Sequence, residues 1–513
     1  MSLRLYNSRT RSIEKFVPLE GNHVRIYVCG LTPSAEAHLG HARSFMFFDV
    51  LRRYLVHLGY RVDFVRNVTD IDDRSIAEGR RRGVPWHAVV DEYFTRFKRS
   101  MDRLHVLEPD HEPRATQYIG EILAMIAGLI ERGNAYVVGD GVYFAVASFP
   151  RYGALSGRNT DELLVGARIA PGEEKRDPLD FALWKFARPG EPSWPSPWGE
   201  GRPGWHIECS AMSHALLGEP FDIHGGGYDL IFPHHENEIA QTESLVAPPM
   251  ANVWMHGGLL QFDGRKMSKS LGNFEPLYEL LERHDPQAIR LLFLQTGYRK
   301  PMNLTEESIA GATTGLRRLQ AAYDALRKAP PVDHDEGSER AALEPFAERF
   351  FGALDDDMNT SAAISVLFDL AAEAEALAPG GAASHAAAFL HQAMSVLGIS
   401  PAEREHRFER TLTVERSFSM KTRSSDSVDY QIVRSGAAQL RDGALERLRL
   451  LLGEIVPPHT IETPDAINDI VELRAKAKSE KDFALADRLR QALAEAGVTL
   501  SDSKDGTTWT VDA

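Results

Sequence analysis

The chain has 513 residues, 43% of them hydrophobic and 26% charged, which suits a globular protein of several domains. No apolar run reaches the ~18 residues of a membrane span, and the opening MSLRLYNSRTRSIEKF lacks the apolar core of a secretory signal, so a cytoplasmic protein with no membrane partner is expected. The net charge of -15 argues against generic nucleic-acid binding, since whole-surface attraction to phosphate needs the opposite sign; any RNA contact has to use local basic patches.

Residues 25–29 (RIYVC) read as a strand and 30–37 as a loop. From His38, Phe45, Phe48, Leu51, Leu55 and Leu58 recur at spacings of three and four, predicting a helix closed by Gly59. Residues 62–68 read as a second strand running into TDIDD. Strand, helix, strand predicts a βαβ unit in a parallel sheet, whose ligands bind at the carboxyl ends of strands, where Cys29 and Thr69 fall. Residues 75–135 read as amphipathic helix. Residues 136–205 read as an irregular, Pro/Trp-rich insertion, and 205–262 as a return to strands and helices. Residues 276–400 read as mostly helical, and the Ser/Thr-rich 410–428 as a linker or mobile loop. The end of the chain reads as a helix over about 465–478, a second through Phe483, Ala486, Leu489 and Leu493 to Gly497, and two short strands around a DG turn.

His38-Leu39-Gly40-His41 opens the first helix. A helix N-terminus offers N–H groups and partial positive charge to a triphosphate, and Gly40 leaves room for a nucleotide against the backbone. His38 and His41 can donate to phosphate oxygens as charge builds. Alone, HLGH is more plainly a helix start with two exposed histidines. Lys266-Met267-Ser268-Lys269-Ser270 adds two lysines three apart that can reach one pyrophosphate and neutralise the leaving group, with Ser268 available as a helix cap. Alone, this too is a solvated loop. As a pair at two predicted strand exits, HLGH and KMSKS resemble the signature motifs of class I aminoacyl-tRNA synthetases. The resemblance implies an α/β fold with a Rossmann-type catalytic core, an inserted connective domain, and aminoacyl-adenylate formation from ATP with Mg2+.

The two cysteines, Cys29 and Cys209, are not expected to form a disulfide framework in a large chain without an export signal. With His234 and Glu238, four apart and so on one helical face, they make a reasonable tetrahedral zinc set. Two buried thiols explain them equally well, and His235 is an alternative ligand. Asp70, Asp72 and Asp73 read as solvated or helix-capping rather than as a magnesium site.

The words YVCG, HLGHAR, RNVTDIDDR, GRPGWHIECSAM, DIHGGGYDLIFPHHENEIAQTE and GRKMSKSLGNF resemble the cysteinyl-tRNA synthetase family. That resemblance spans roughly residues 20–400 and returns at about 470–510. It implies one Zn2+ per chain held by Cys29, Cys209, His234 and Glu238. It implies an amino-acid site of Gly30, Thr69, Trp205, His224 and Asp229, the last facing the substrate ammonium. It implies L-cysteine, ATP and tRNA(Cys) as partners, with zinc selecting the substrate thiolate over the serine hydroxyl by ligand softness. PSAEA stands where the family has a Tyr-Asp pair before HLGH, and 405–460 match nothing known to us. The expected organisation is a catalytic first half (1–120), connective insertion (121–204), catalytic second half (205–262), KMSKS and stem-contact region (263–320), helical bundle (321–404), linker (405–464), and C-terminal anticodon-binding unit (465–513). A monomer is expected.

In that last unit Arg474, Lys476, Lys478, Lys481, Arg488 and Arg490 form a local basic surface able to track phosphates. Charge alone equally allows a solvated helix pair. Trp509 reads as core of this unit or a base-stacking residue. Two alternatives stand beside the main reading. One is a ligase of the mycothiol pathway joining cysteine to an amino sugar, which shares the motifs but should lack the RNA-binding tail. The other is a non-catalytic RNA-binding paralogue, which the intact His38, His41, Lys266 and Lys269 oppose.

Overall fold

An antiparallel hairpin of β1 (Arg4–Asn7) and β2 (Ser12–Lys15) leads into the expected βαβ unit: β3 (His23–Leu31), α1 (Leu39–His57) and β4 (Arg61–Val68). The structure, a computed structural model, describes residues 2–158, 174–246, 248–262, 265–266, 276–329, 336–377 and 382–400. Beyond these it describes 409–412, 438–441, 470, 474, 477, 483–495, 498–503 and 506–511. The chain divides into two compact units, Met1–Glu403 and Arg404–Ala513.

Successive side chains of a strand point to opposite faces of its sheet. In β3, Val24, Ile26 and Val28 enter one apolar core, whereas Tyr27 and Cys29 enter the other. The first core takes Phe45, Phe48, Leu51 and Leu55 of α1, as the periodicity required. Leu58 departs from it: it is the C-cap residue and 40% exposed, with Gly59 following at φ 88°. After α1 come α2 (Asp73–Arg82), α3 (Trp86–Arg103) and α4 (Ile119–Glu131). The helical reading of 75–135 is therefore broken over 104–118, where the backbone runs beside β4 through bridges Val65–His111 and Val68–Arg114.

The reading of 136–205 as irregular is corrected. Four short strands, β5 (Ala135–Val138), β6 (Gly141–Phe144), β7 (Phe181–Phe186) and β8 (Gly201–Pro203), form an antiparallel sheet in that order. Strands of three to six residues give too few alternations for a periodic signal. The helix α5 (Trp205–Leu217) follows at once, so Cys209 sits inside a helix and not at a strand-to-helix turn. Then come β9 (Phe221–Gly227), α6 (Glu236–Leu245) and β10 (Ala251–Gly257).

The central sheet has the order β10-β9-β3-β4, all parallel, which places the strands after the insertion beside those before it. At its carboxyl end the register between β3 and β4 shifts after Val28, and the Gly30 N–H donates to Asn67 Oδ1 at 2.8 Å. A Cβ on Gly30 would lie 1.5 Å from the Asn67 carbonyl oxygen, so only glycine allows this approach.

The chain continues through β11 (Leu260–Phe262), β12 (Arg265–Lys266), α7 (Leu277–Arg283), α8 (Pro286–Leu294) and β13 (Met302–Leu304). The helices α9 (Glu306–Lys328), α10 (Glu336–Asp355), α11 (Thr360–Leu377) and α12 (Ala382–Val396) complete this unit, matching the helical expectation for 276–400. Among the described residues no helix is long and apolar enough to cross a membrane.

In the second unit, β14 (Glu409–Leu412) pairs antiparallel with β15 (Ala438–Arg441), so the start of the expected linker forms a strand. The helix α13 (Phe483–Glu495) precedes an antiparallel pair, β16 (Val498–Ser503) and β17 (Gly506–Val511), which forms the expected two strands, with Gly506 of the DG pair already in β17 opposite Ser503. Trp509 pairs with Leu500. Most of the expected helix over 465–478 lies outside the described residues, as do Lys476, Lys478 and Lys481.

Candidate active site

His38 is the N-cap of α1. Its Nδ1 accepts from Gly40 N at 3.1 Å, while His41 Nδ1 accepts from the His38 N–H at 3.2 Å. The rings stack 3.8 Å apart. Because each Nδ1 accepts, each neutral ring carries its proton on Nε2 and can donate from there. Burial, and then the charges of His38 and Arg74, push His41 well below the usual histidine range and keep it neutral. At Gly40 a Cβ would crowd the His38 ring at 3.0 Å, so the glycine first serves the capping geometry.

Of the second signature, Lys266 lies in β12, and Ser268 and Lys269 lie outside the described residues. Arg43 of α1 had no part in the sequence reading. It is buried and donates to the carbonyls of Gly258 and Leu259, both at 3.1 Å, and of Gly297 and Lys300 at 3.2 and 2.6 Å. It thus fastens the signature helix to the backbone just before β11. Burial pulls its guanidinium down to about 10.

Cys29, Cys209, His234 and Glu238 converge, with one donor atom from each within 4.8 Å of all the others. Cys29 Sγ lies 3.8 Å from Cys209 Sγ and 3.3 Å from Glu238 Oε1, and His234 Nε2 lies 3.1 Å from the same oxygen. All four are buried. Strand alternation turns Cys29 toward α5, where Cys209 waits. His234 lies in a π-helical turn, Ile231–His235, that is broken at extended Phe232 and runs directly into α6, so it meets Glu238 four residues on, as its spacing required.

Burial pushes both thiols above the ordinary cysteine range, with the neighbouring acid groups adding to it for Cys29. For Glu238 burial acts in the same direction but is outweighed by His224 and His234, so its carboxyl is held below the usual range. Two thiols and a carboxylate so placed fit a divalent cation, which would neutralise the anions that burial disfavours.

The predicted amino-acid pocket surrounds this cluster in part. His224 Nε2 is 2.8 Å from Glu238 Oε2, and the Trp205 ring lies 4.5 Å from that of His234. Thr69 is buried at the end of β4 with Asn67 Nδ2 3.4 Å from its hydroxyl. Asp229 is exposed in the turn after β9. The neighbouring acids are otherwise committed: Asp72 takes the expected capping role, whereas Asp70 is buried and Asp73 is ion-paired. Asp72 caps α2, accepting from Ser75 N at 2.7 Å, Asp70 accepts from Thr116 N and Oγ1, and Asp73 pairs with Lys185 and Arg202.

Two further histidines, His206 and His256, went unread. His206 Nδ1 is 2.8 Å from His234 Nδ1, His235 Nδ1 is 2.8 Å from His256 Nε2, and His256 Nδ1 is 2.8 Å from Ser8 Oγ. Burial pushes His206, His234 and His256 down to about 3, so they are neutral. The His206–Cys209 spacing of three in WHIEC could have flagged His206 as sharing a helical face with a ligand. Nothing local marks His256. His235 also joins Cys29, His224 and Glu238 in a second donor set of the same compactness.

Comparison with known proteins bears on the whole chain. Residues 15–314 match the family of class I tRNA synthetase (C) catalytic domains, 349–400 the DALR domain, and 460–509 the cysteinyl-tRNA ligase anticodon binding domain. The chain is 45% identical over 511 residues to the cysteine–tRNA ligase of Alkalilimnicola ehrlichii, and 43% identical over 510 residues to that of Pseudomonas aeruginosa, with 99% of each chain covered in both cases. In fold it resembles Mycobacterium tuberculosis methionyl-tRNA synthetase in complex with methionyl-adenylate, with a TM-score of 0.56, 16% identity, and coverage of 75% of this chain and 92% of that one. A parallel sheet with HLGH at its first helix, a thiol-rich cluster at its carboxyl end, and relatives that align from end to end together place the chain in the cysteine–tRNA ligase family of class I aminoacyl-tRNA synthetases.

Proposed function

We propose that the protein activates L-cysteine with ATP and esterifies it to the 3′ end of tRNA(Cys), using one zinc ion held by Cys29, Cys209, His234 and Glu238. The observation that carries this reading is the buried meeting of those four donors on the parallel sheet whose first crossover helix opens with HLGH. In the first step a substrate carboxylate oxygen attacks the α-phosphorus of ATP, the bond to the β-phosphate bridge breaks, and pyrophosphate leaves. His38 and His41 donate from Nε2 to phosphate oxygens, and Lys266 and Lys269 neutralise the leaving pyrophosphate with Mg2+. In the second step a terminal tRNA hydroxyl attacks the carbonyl and AMP leaves. Asp229 faces the substrate ammonium, and Gly30, Thr69, Trp205 and His224 wall the pocket. The metal, when bound, supplies a soft Lewis acid that prefers sulfur to oxygen. The protein is proposed to act as a cytoplasmic monomer.

Two measurements test this. The purified chain should incorporate labelled cysteine into tRNA(Cys) with ATP and show cysteine-dependent ATP–pyrophosphate exchange; absence of exchange would overturn the reading. The match over 460–509 weighs against the amino-sugar ligase, which should lack an anticodon unit. Truncation after residue 403, between the two compact units, should leave exchange within about twofold. It should weaken charging at limiting tRNA and flatten the salt dependence of tRNA binding, because fewer phosphates are neutralised. Full-rate charging by a folded truncate at limiting tRNA would remove the tail from RNA binding.

A further inference from the structure

We infer that His224 is a positioning residue that restricts Glu238 to one-oxygen binding of the cation and thereby keeps a coordination position open for the substrate sulfur. The inference rests on the metal reading above. Glu238 is fully buried and its two oxygens are committed to different neighbours. Oε1 faces the other donors, 3.3 Å from Cys29 Sγ and 3.1 Å from His234 Nε2. Oε2 turns instead to His224 Nε2 at 2.8 Å.

A ring nitrogen that close to a carboxylate oxygen carries the hydrogen and donates it, so this nitrogen of His224 is not available to a cation. His224 is also held in place. It is fully buried on β9, its ring stacks on Trp254 at 4.4 Å and 12°, and Tyr27 lies 5.4 Å away on its other neighbour strand. The donor thus cannot follow Glu238 if the carboxylate rotates. A carboxylate freed of that bond can offer both oxygens to a cation. With two thiolates and an imidazole already bound, the second oxygen would take the position that substrate needs. Partners outside the ligand shell that orient ligands in this way are worth roughly 10–100-fold in metal affinity or activity.

The competing reading is that His224 is itself a ligand, in the donor set it forms with Cys29, His235 and Glu238. Cobalt substitution of the full-length protein, measured without cysteine, separates the two. Wild-type protein should take up one Co2+ per chain, with thiolate-to-cobalt charge transfer and the intense d–d bands of a low-coordinate site. Lack of charge transfer in the wild type would overturn the metal reading, and this inference with it. His224→Phe keeps the stack on Trp254 but removes the donor. It should still bind one Co2+ and keep the charge-transfer band, with d–d bands weakened several-fold as the coordination number rises. Its Co2+ affinity should fall roughly 10–100-fold. His224→Gln, which restores an N–H donor, should recover the intense d–d bands; His224→Leu serves in place of His224→Phe if the latter does not fold. An unchanged spectrum and affinity in the Phe or Leu variant would refute the role. So would loss of all Co2+ from a natively folded variant, which makes His224 a ligand, or a Gln variant no different from Phe.

Discussion

Cys209→Ala is expected to leave the purified protein largely without zinc, whereas the wild-type chain carries close to one equivalent. Structural zinc sites supply about 10–16 kcal/mol in total, so one of four ligands is worth roughly 2.5–4 kcal/mol, or a loss of about 10²–10³-fold in affinity. Thiolates are the softer donors and should lie at the upper end. Cys209 has a second reason to matter. It is buried in the second turn of α5, 3.8 Å from Cys29 Sγ, so its removal also leaves Cys29 without its thiol neighbour. Metal content by elemental analysis, on protein whose circular dichroism matches wild type, checks this. Full zinc occupancy in the variant would remove Cys209 from the site.

Asp49→Ala is expected to destabilise the N-terminal unit by about 3–5 kcal/mol, the cost of leaving a buried cation without its counterion. Arg290 of α8 is fully buried and reaches Asp49 of α1, while also donating to the carbonyls of Leu397 and Leu104 at 2.7 and 2.8 Å. Asp49 further accepts from Leu107 N at 2.8 Å and Arg53 Nε at 2.9 Å. One carboxylate therefore joins the signature helix, the crossover after α3 and the helical region. Burial would raise Asp49, but Arg290, Arg53 and the Leu107 N–H outweigh it and hold the carboxyl below the usual range. Since the folded value lies below the unfolded ~3.9, the stabilisation is fully present above about pH 4 and is lost as pH falls through the folded value. Urea midpoints should thus differ by on the order of 1 M or more near neutrality, with the gap narrowing below pH 4. A shift within error at pH 7 would show that the pair contributes nothing net.

Much of this protein was legible along the chain. Local periodicity marked α1, and the spacing within HLGH foretold a helix N-terminus, because both depend on residues within two turns of each other. The four metal-type donors were named as residues and by resemblance. Spacing could not bring Cys29 and Cys209 together across 180 residues of chain. Their meeting depends on sheet register: alternation in β3 sends Tyr27 and Cys29 to the α5 side, and the parallel order β10-β9-β3-β4 sets the strands before the insertion against those after it. The short strands of the insertion, the Arg43 and Arg290 anchors, and the His224–Glu238 and His206–His234 contacts were decided by tertiary structure alone. A buried polar group must find a partner wherever burial places it, and that partner is chosen by how elements pack, not by how residues are spaced along the chain.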